Sequence, residues 1–326
     1  MSDMAVIGRA AWRGKHSARA RAASRAPDIR RALQLALAGG WLLDGVLQFQ
    51  PFMFSRAFGQ LIGGTAAGNP AVIARPITWN ADLVQQHAVP LNASFATAQL
   101  LLGLGIVFRP TVRPALAASV AWAAGVWWFG EGLGGVLNGG ASPLNGAPGA
   151  VILYALLAVL LWPADREASA PFTAARAVGT PASRALWIVL WLGLAYFALT
   201  PANRAPQALN GAIAGMASGE PGWLRALDGG AASLVAGRGL AASVALAAAL
   251  AAIAAGVCLP RPAAKATLVL AIVVATVIWV FGQAFGGIFT GTATDPNSGP
   301  LLVLLALAYW PRGTTARIRP RARHAR

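Results

Sequence analysis

The sequence predicts an all-α integral membrane protein of about eight transmembrane helices, arranged as two tandem, parallel four-helix repeats. Three observations lead there: a charge-poor composition, a series of uncharged apolar runs, and a self-similarity spanning about half the chain. Of 326 residues, 57% are apolar and 11% charged, against roughly 25% charged in a soluble domain. Apolar runs at 32–50, 90–108, 114–130, 148–162, 184–200, 239–259, 264–282 and 299–311 approach the roughly 20 residues that cross about 30 Å of hydrocarbon.

The net charge of +16 would suit a phosphate binder if it formed a stripe, but its distribution follows the predicted spans. With the amino-terminal tail inside, the inner segments hold 21 Lys or Arg, and the outer ones hold only Arg56, Arg75, Arg204, Arg225 and Arg238. That asymmetry is the positive-inside rule, so both termini are expected in the cytoplasm and nucleic acid is not an expected partner. The basic tails, 1–31 and 312–326, are expected to touch anionic lipid headgroups, each charge contributing about 1 kcal/mol. Run 32–50 reads as a permanent helix, because it ends in Gln48-Phe49-Gln50-Pro51 and not in a small-x-small cleavage site. The preference for Arg over Lys, with heavy use of Ala, points to a bacterial inner membrane.

Sliding the chain against itself by about 150 residues aligns three separated stretches. Trp41 through Pro51 meets Trp191 through Pro201, Ala57–Pro70 meets Ala208–Pro221, and Phe129–Gly135 meets Phe281–Gly287. Each half closes on Trp-Pro, at Trp162-Pro163 and Trp310-Pro311. The expected units are therefore 32–163 and 184–311, joined by a polar cytoplasmic linker at 164–183. The long Gly-rich and Pro-rich segments all fall outside, and stretches 52–67 and 206–218 are expected to lie as interfacial or re-entrant segments.

Cysteine and histidine chemistry is scarce. Cys258 is alone, so neither an intrachain disulfide nor a CxxC redox pair can form. Two of the three histidines, His16 and His324, lie in the tails, which leaves bis-histidine haem ligation without support. Asp44 is the one acid well inside an expected span, and Gln48 follows one turn later on the same face. An ionisable group there costs at least about 2.5–3.5 kcal/mol unless it faces protein or water, so it marks either a site or a helix–helix packing contact. Glu131 follows an aromatic run at the outer end of the third span; it fits a cation or proton site, or equally a place in headgroup water. Trp127 and Trp128 read as an interfacial aromatic belt. In the second copy, Leu194, Ala198 and Gln283 stand where the first has Asp44, Gln48 and Glu131, so a site is expected in the first half, facing outward. Weaker outer candidates are His87, Asp82 and Arg75, which fall short of a metal site because a single imidazole lacks a second. No nucleophile elbow, P-loop or paired catalytic carboxylates occur.

A four-helix unit with a long first outer segment, a short inner turn and a Gly-rich second outer loop resembles the DoxX family of small bacterial membrane proteins, here in duplicate. The likeness is carried by Trp41–Pro51 and by Phe129–Pro148. It implies a link to quinone-dependent oxidoreductase complexes, and hence quinone as the one cofactor to consider. Three readings stand open: a noncatalytic membrane subunit or scaffold with an extracytoplasmic protein partner, a quinone-linked oxidoreductase component, and a small-solute or ion permease.

Overall fold

The computed structural model describes residues 28–312, so the two basic tails lie almost wholly outside the described residues. Every regular element among them is helical. The first half contains α1 (Ile29–Leu47), α2 (Arg56–Gly64), α3 (Ala71–Gln86), α4 (Ala88–Val107), α5 (Val112–Phe129) and α6 (Ala150–Leu160). A short α7 (Thr173–Val178) leads into the second half, with α8 (Thr180–Ala198), α9 (Pro201–Arg204), α10 (Ala208–Met216), α11 (Gly222–Val235), α12 (Gly239–Gly256), α13 (Arg261–Val277) and α14 (Ser298–Ala308).

Helix α1 packs along α4 and α5 along α6; α8 packs along α12 and α13 along α14, while α14 also meets α1 and α6 and so joins the halves. Close approach of α1 and α4 depends on small residues: a Cβ on Gly103 would stand 2.6 Å from Leu42 Cγ, and one on Gly45 would stand 2.8 Å from Leu100. At the end where α1 begins, Arg31 donates to the Ile106 and Val107 carbonyls that close α4, a favourable place for a cation. Gln34 donates to Leu161 O at 2.9 Å, so the start of α1 and the ends of α4 and α6 share one end of the bundle. We call it the basic end, and the opposite one the loop end.

Four helices are long and apolar enough to cross a membrane: Ala88–Val107, Thr180–Ala198, Gly239–Gly256 and Arg261–Gly282, the last being α13 with its π-helical continuation. Helices also occupy the other four expected positions, but these differ from plain spans. Helix α1 carries Arg30, Arg31 and Asp44, and α5 is weakly apolar because Ala, Ser, Gly and Trp dominate it. Helices α6 and α14 have 11 residues each, a rise of about 16 Å, or half the hydrocarbon thickness. Both start late because irregular backbone precedes them, ending at Gly149 with φ 112° and at Asn297 with φ 65°.

The stretches 52–67 and 206–218, expected as interfacial or re-entrant, hold α2 and α10, and each of these packs in a hairpin with the helix that follows, α2 with α3 and α10 with α11. Helix α3 buries Ile73, Ile77, Ala81 and Val84 on one stripe, although Pro76 lies inside it. Residues 164–183 also differ from a solvated linker, since they fold back on the basic end and bury Phe172, Ala174 and Ala175. Asp165 there pairs with Arg30 at 2.6 Å and Arg176 at 2.7 Å, and these two guanidinium groups hold its carboxyl below the usual range. Glu167 accepts from Thr180 N at 2.7 Å, so α8 starts inside the expected linker.

Two irregular loops precede α6 and α14, and they share their local geometry. Leu133 and Gly134 have φ of 56° and 62°, and Phe285 and Gly286 have 56° and 77°. Trp127 Nε1 donates to Pro148 O at 2.6 Å, and Trp279 Nε1 to Pro296 O at 2.8 Å. Trp127 thus ties a loop to its helix, while Trp128 beside it is exposed. A Cβ on Gly134 would lie 2.1 Å from Pro148 O, so glycine is needed for both backbone sign and space. Gly134→Ala is expected to lower unfolding stability by at least about 3 kcal/mol. Gly139→Ala, with φ 76° but open space around the new methyl, should cost only about 1–2 kcal/mol, and thermal unfolding of both variants in detergent measures the difference.

Candidate functional site

The inward stripes of the first half change character along their length. On α1 they run from Leu33 and Leu37, through Trp41, to Asp44 and Gln48; on antiparallel α4 they run from Ile106 and Leu102 to Gln99 and Asn92. The apolar stretches meet at the basic end and seal it, while the polar ones meet toward the loop end. Between them is a cavity of about 840 Å³, within the range of small-molecule sites. Its floor is Trp41 against Tyr154, with ring centroids 4.3 Å apart and the planes tilted by 36°, and Trp41 Nε1 donating to Ser119 Oγ at 2.9 Å. Gly40 leaves the room this needs, since a Cβ there would sit 2.8 Å from the Tyr154 hydroxyl. Its walls are aromatic: Phe58 from α2, Trp79 from α3, Phe95 from α4, and Trp122 and Phe129 from α5.

Six residues lining this cavity each hold a buried side-chain atom without a hydrogen-bond partner. Four are acceptors, Asp44 Oδ1, Gln48 Oε1, Gln99 Oε1 and Glu131 Oε2, and two are donors, Trp122 Nε1 and the Tyr154 hydroxyl. Buried polar atoms are ordinarily bonded, so such a concentration requires a reason. The Asp44, Glu131, Tyr154 and Asp295 groups also interact electrostatically.

Glu131 is held at one oxygen, where Oε1 accepts from Val151 N at 3.1 Å and caps α6. Burial, then the Asp295 charge, push its carboxyl up to about 8, against the pull of the Val151 N–H. Asp295 arrives from the loop before α14. Its oxygens accept from Thr294 Oγ1 and Asn297 N, both at 2.7 Å, while burial still raises its carboxyl. That loop is tied to the first half, because Gln50 Nε2 donates to Ala293 O at 3.0 Å.

The second half fills its interior with apolar side chains. Trp187, Trp191, Leu194 and Ala198 line α8, and Ala247, Leu250 and Ile253 line α12, all buried. Gln283, ahead of α14, leaves nothing free: Oε1 accepts from Gly299 N at 3.2 Å, and Nε2 donates to Ser298 Oγ at 2.8 Å and to Pro143 O at 3.4 Å. A carboxamide carries both donors and an acceptor, and here each of them has a partner.

Of the residues singled out in the sequence, Asp44, Gln48 and Glu131 come together in the cavity; Gln48 is the C-cap of α1, with its carbonyl accepting from Asn92 Nδ2 at 2.7 Å. His87, Asp82 and Arg75 do not. They are exposed on and just after α3, outside the cavity lining, and no group of three metal-ligating side chains occurs among the described residues. The sequence reading passed over Gln99, Trp122, Tyr154 and Asp295. Asn92 and Gln99 are two turns apart in an apolar run, a signal that was available; Asp295 approaches through tertiary folding alone. A second buried acidic pair, Glu220 and Asp228, lies in the α10–α11 region with its four oxygens unpartnered, separate from this cavity.

The chain matches no protein-family model, no curated protein and no solved structure.

Replacing Asp44 by the residue at the corresponding second-half position tests whether the polar lining costs stability. Asp44→Leu should raise unfolding stability by about 1–3 kcal/mol, because a buried acid without a full set of partners is removed; a lower Tm would show that Asp44 stabilises the fold. The Glu131 carboxyl has a folded value near 8 against an ordinary 4.5. Between those values the folded state binds the proton more tightly, so stability should fall as pH rises through that window and level off above it. Thermal unfolding from pH about 5 to about 9 should show this slope in the wild type and a smaller one in Glu131→Gln.

Proposed function

We propose that the chain is a noncatalytic, multi-pass membrane protein that binds a small amphipathic molecule in the outer half of its first four-helix unit. One observation carries this reading: six unpartnered polar atoms border a single aromatic-walled cavity. A bare scaffold has no use for them, and filling the same positions with leucine, as the second half does, is the cheaper solution.

The surrounding architecture is read as two tandem copies, with all eight long and short apolar helices lying in a bacterial inner membrane. The matched pairs Trp127 with Trp279, Glu131 with Gln283 and Leu133 with Phe285 favour duplication. Outward apolar faces, such as that of α8 with Val189 at 72% exposure, favour lipid over water. The basic end is read as cytoplasmic, with both tails against anionic headgroups.

A duplicated DoxX-like, quinone-linked component is the second reading, favoured by the free donor Trp122 Nε1, which suits a carbonyl oxygen. A permease is less favoured, since buried Leu37, Leu102, Ile106 and Leu157 close the basic end below the Trp41–Tyr154 floor. A protein partner at the loop end is compatible with either binding reading.

Gly125 lines the cavity, and a Cβ there meets open space, so Gly125→Phe fills the cavity without straining the backbone. Mass spectrometry of solvent extracts from gently purified protein should find a small molecule retained by the wild type and lost from Gly125→Phe at unchanged Tm. Identical extracts, with a stoichiometric protein partner in both, would favour the scaffold instead.

A further inference from the structure

We propose that the molecule held in this cavity is an amphipathic organic cation, an ammonium carrying donor N–H groups and an apolar tail. The inference rests on the small-molecule reading above and adds the ligand's charge. Three carboxyl groups, Asp44, Glu131 and Asp295, line the cavity, and no Lys, Arg or His among the described residues does. An anionic head would meet three carboxyls and no cation, and a neutral head would leave them in their protonated, uncharged form; only a cation gains from the negative charge that this lining can develop.

Hydrogen bonding points the same way. Four of the six free atoms are acceptors, and they come from three different elements: Asp44 and Gln48 on α1, Gln99 on α4 and Glu131 after α5. An ammonium offers up to three donors in a tetrahedral spread and no acceptor. The aromatic walls serve both halves of such a molecule, since ring faces attract a cation within about 6 Å and also cover an alkyl tail. A bare metal ion fits poorly, because no three acidic, histidine or cysteine side chains among the described residues converge on one point and the volume far exceeds one ion.

Proton coupling follows from the same groups. With Glu131 protonated up to about 8 in the empty site, an arriving ammonium displaces that proton. Its affinity therefore climbs as pH rises toward about 8. The titratable groups around Glu131 are Asp44 on α1, Tyr154 on α6 and Asp295 from the loop before α14.

The test uses the full chain in phosphatidylcholine nanodiscs, with protein-free discs as the partition control. Octylammonium, octanol and octanoate share a tail and differ in head charge, and fluorescence of the cavity tryptophans reports binding. Octylammonium should bind at least about tenfold more tightly than octanol, a difference of about 1.4 kcal/mol, and octanoate should not bind. Asp44→Asn and Glu131→Gln should each lower octylammonium affinity about tenfold more than octanol affinity. The rise of octylammonium affinity with pH should disappear in Glu131→Gln. Octanol and octylammonium binding equally, with both lost in Gly125→Phe, would overturn the cation assignment and leave the small-molecule reading intact. No probe binding, with Gly125→Phe indistinguishable from the wild type, would overturn both.

Discussion

Buried backbone polar groups must find partners within the protein, and that requirement governs how this chain begins α6 and α14. Each helix has 11 residues, a rise of about 16 Å, and irregular backbone with no ladder of its own precedes it. The chain meets the demand with side chains. An indole N–H reaches the carbonyl just before each helix, from Trp127 to Pro148 and from Trp279 to Pro296. The side chain at 131 or 283 then accepts from the first turn of the helix. Left-handed glycines bring loop and helix close enough for these bonds.

The cavity grows out of that same device. Gln283 closes the second loop completely, whereas Glu131 caps with one oxygen and leaves the other unpaired. The Glu131 cap thus leaves one unpartnered oxygen at the edge of the bundle interior. The inward stripes of α1 and α4 extend the effect, since Asp44, Gln48 and Gln99 stand where leucine and alanine close the other half. One half spends its interior on packing. The other keeps a polar, ligand-sized space above a tryptophan–tyrosine floor.

The loop before α14 adds the third carboxyl, which crosses from the second half into the cavity of the first. The cavity therefore depends on the junction of α14 with α1 and α6 as well as on its own four helices. The two halves are complementary in use. One contributes the chamber, and the other contributes a rigid, apolar body and one charged segment of the chamber's rim.

What the sequence determined by itself was the all-helical, apolar character and the polar face of α1, because helical periodicity and charge depletion are local properties that need no tertiary information. Asp44, Gln48 and Glu131 were legible for the same reason, as polar residues in or beside apolar runs. Tertiary structure decided the rest. Whether 51–89 was loop or hairpin depended on which apolar side chains found a partner, and the length of α6 and α14 depended on backbone signs at Gly149 and Asn297 that composition does not encode. The meeting of Asp295 with Glu131 likewise rests on contacts between residues far apart in the chain, and burial, which sets the charge state and hydrogen bonding of both, exists only once those contacts form.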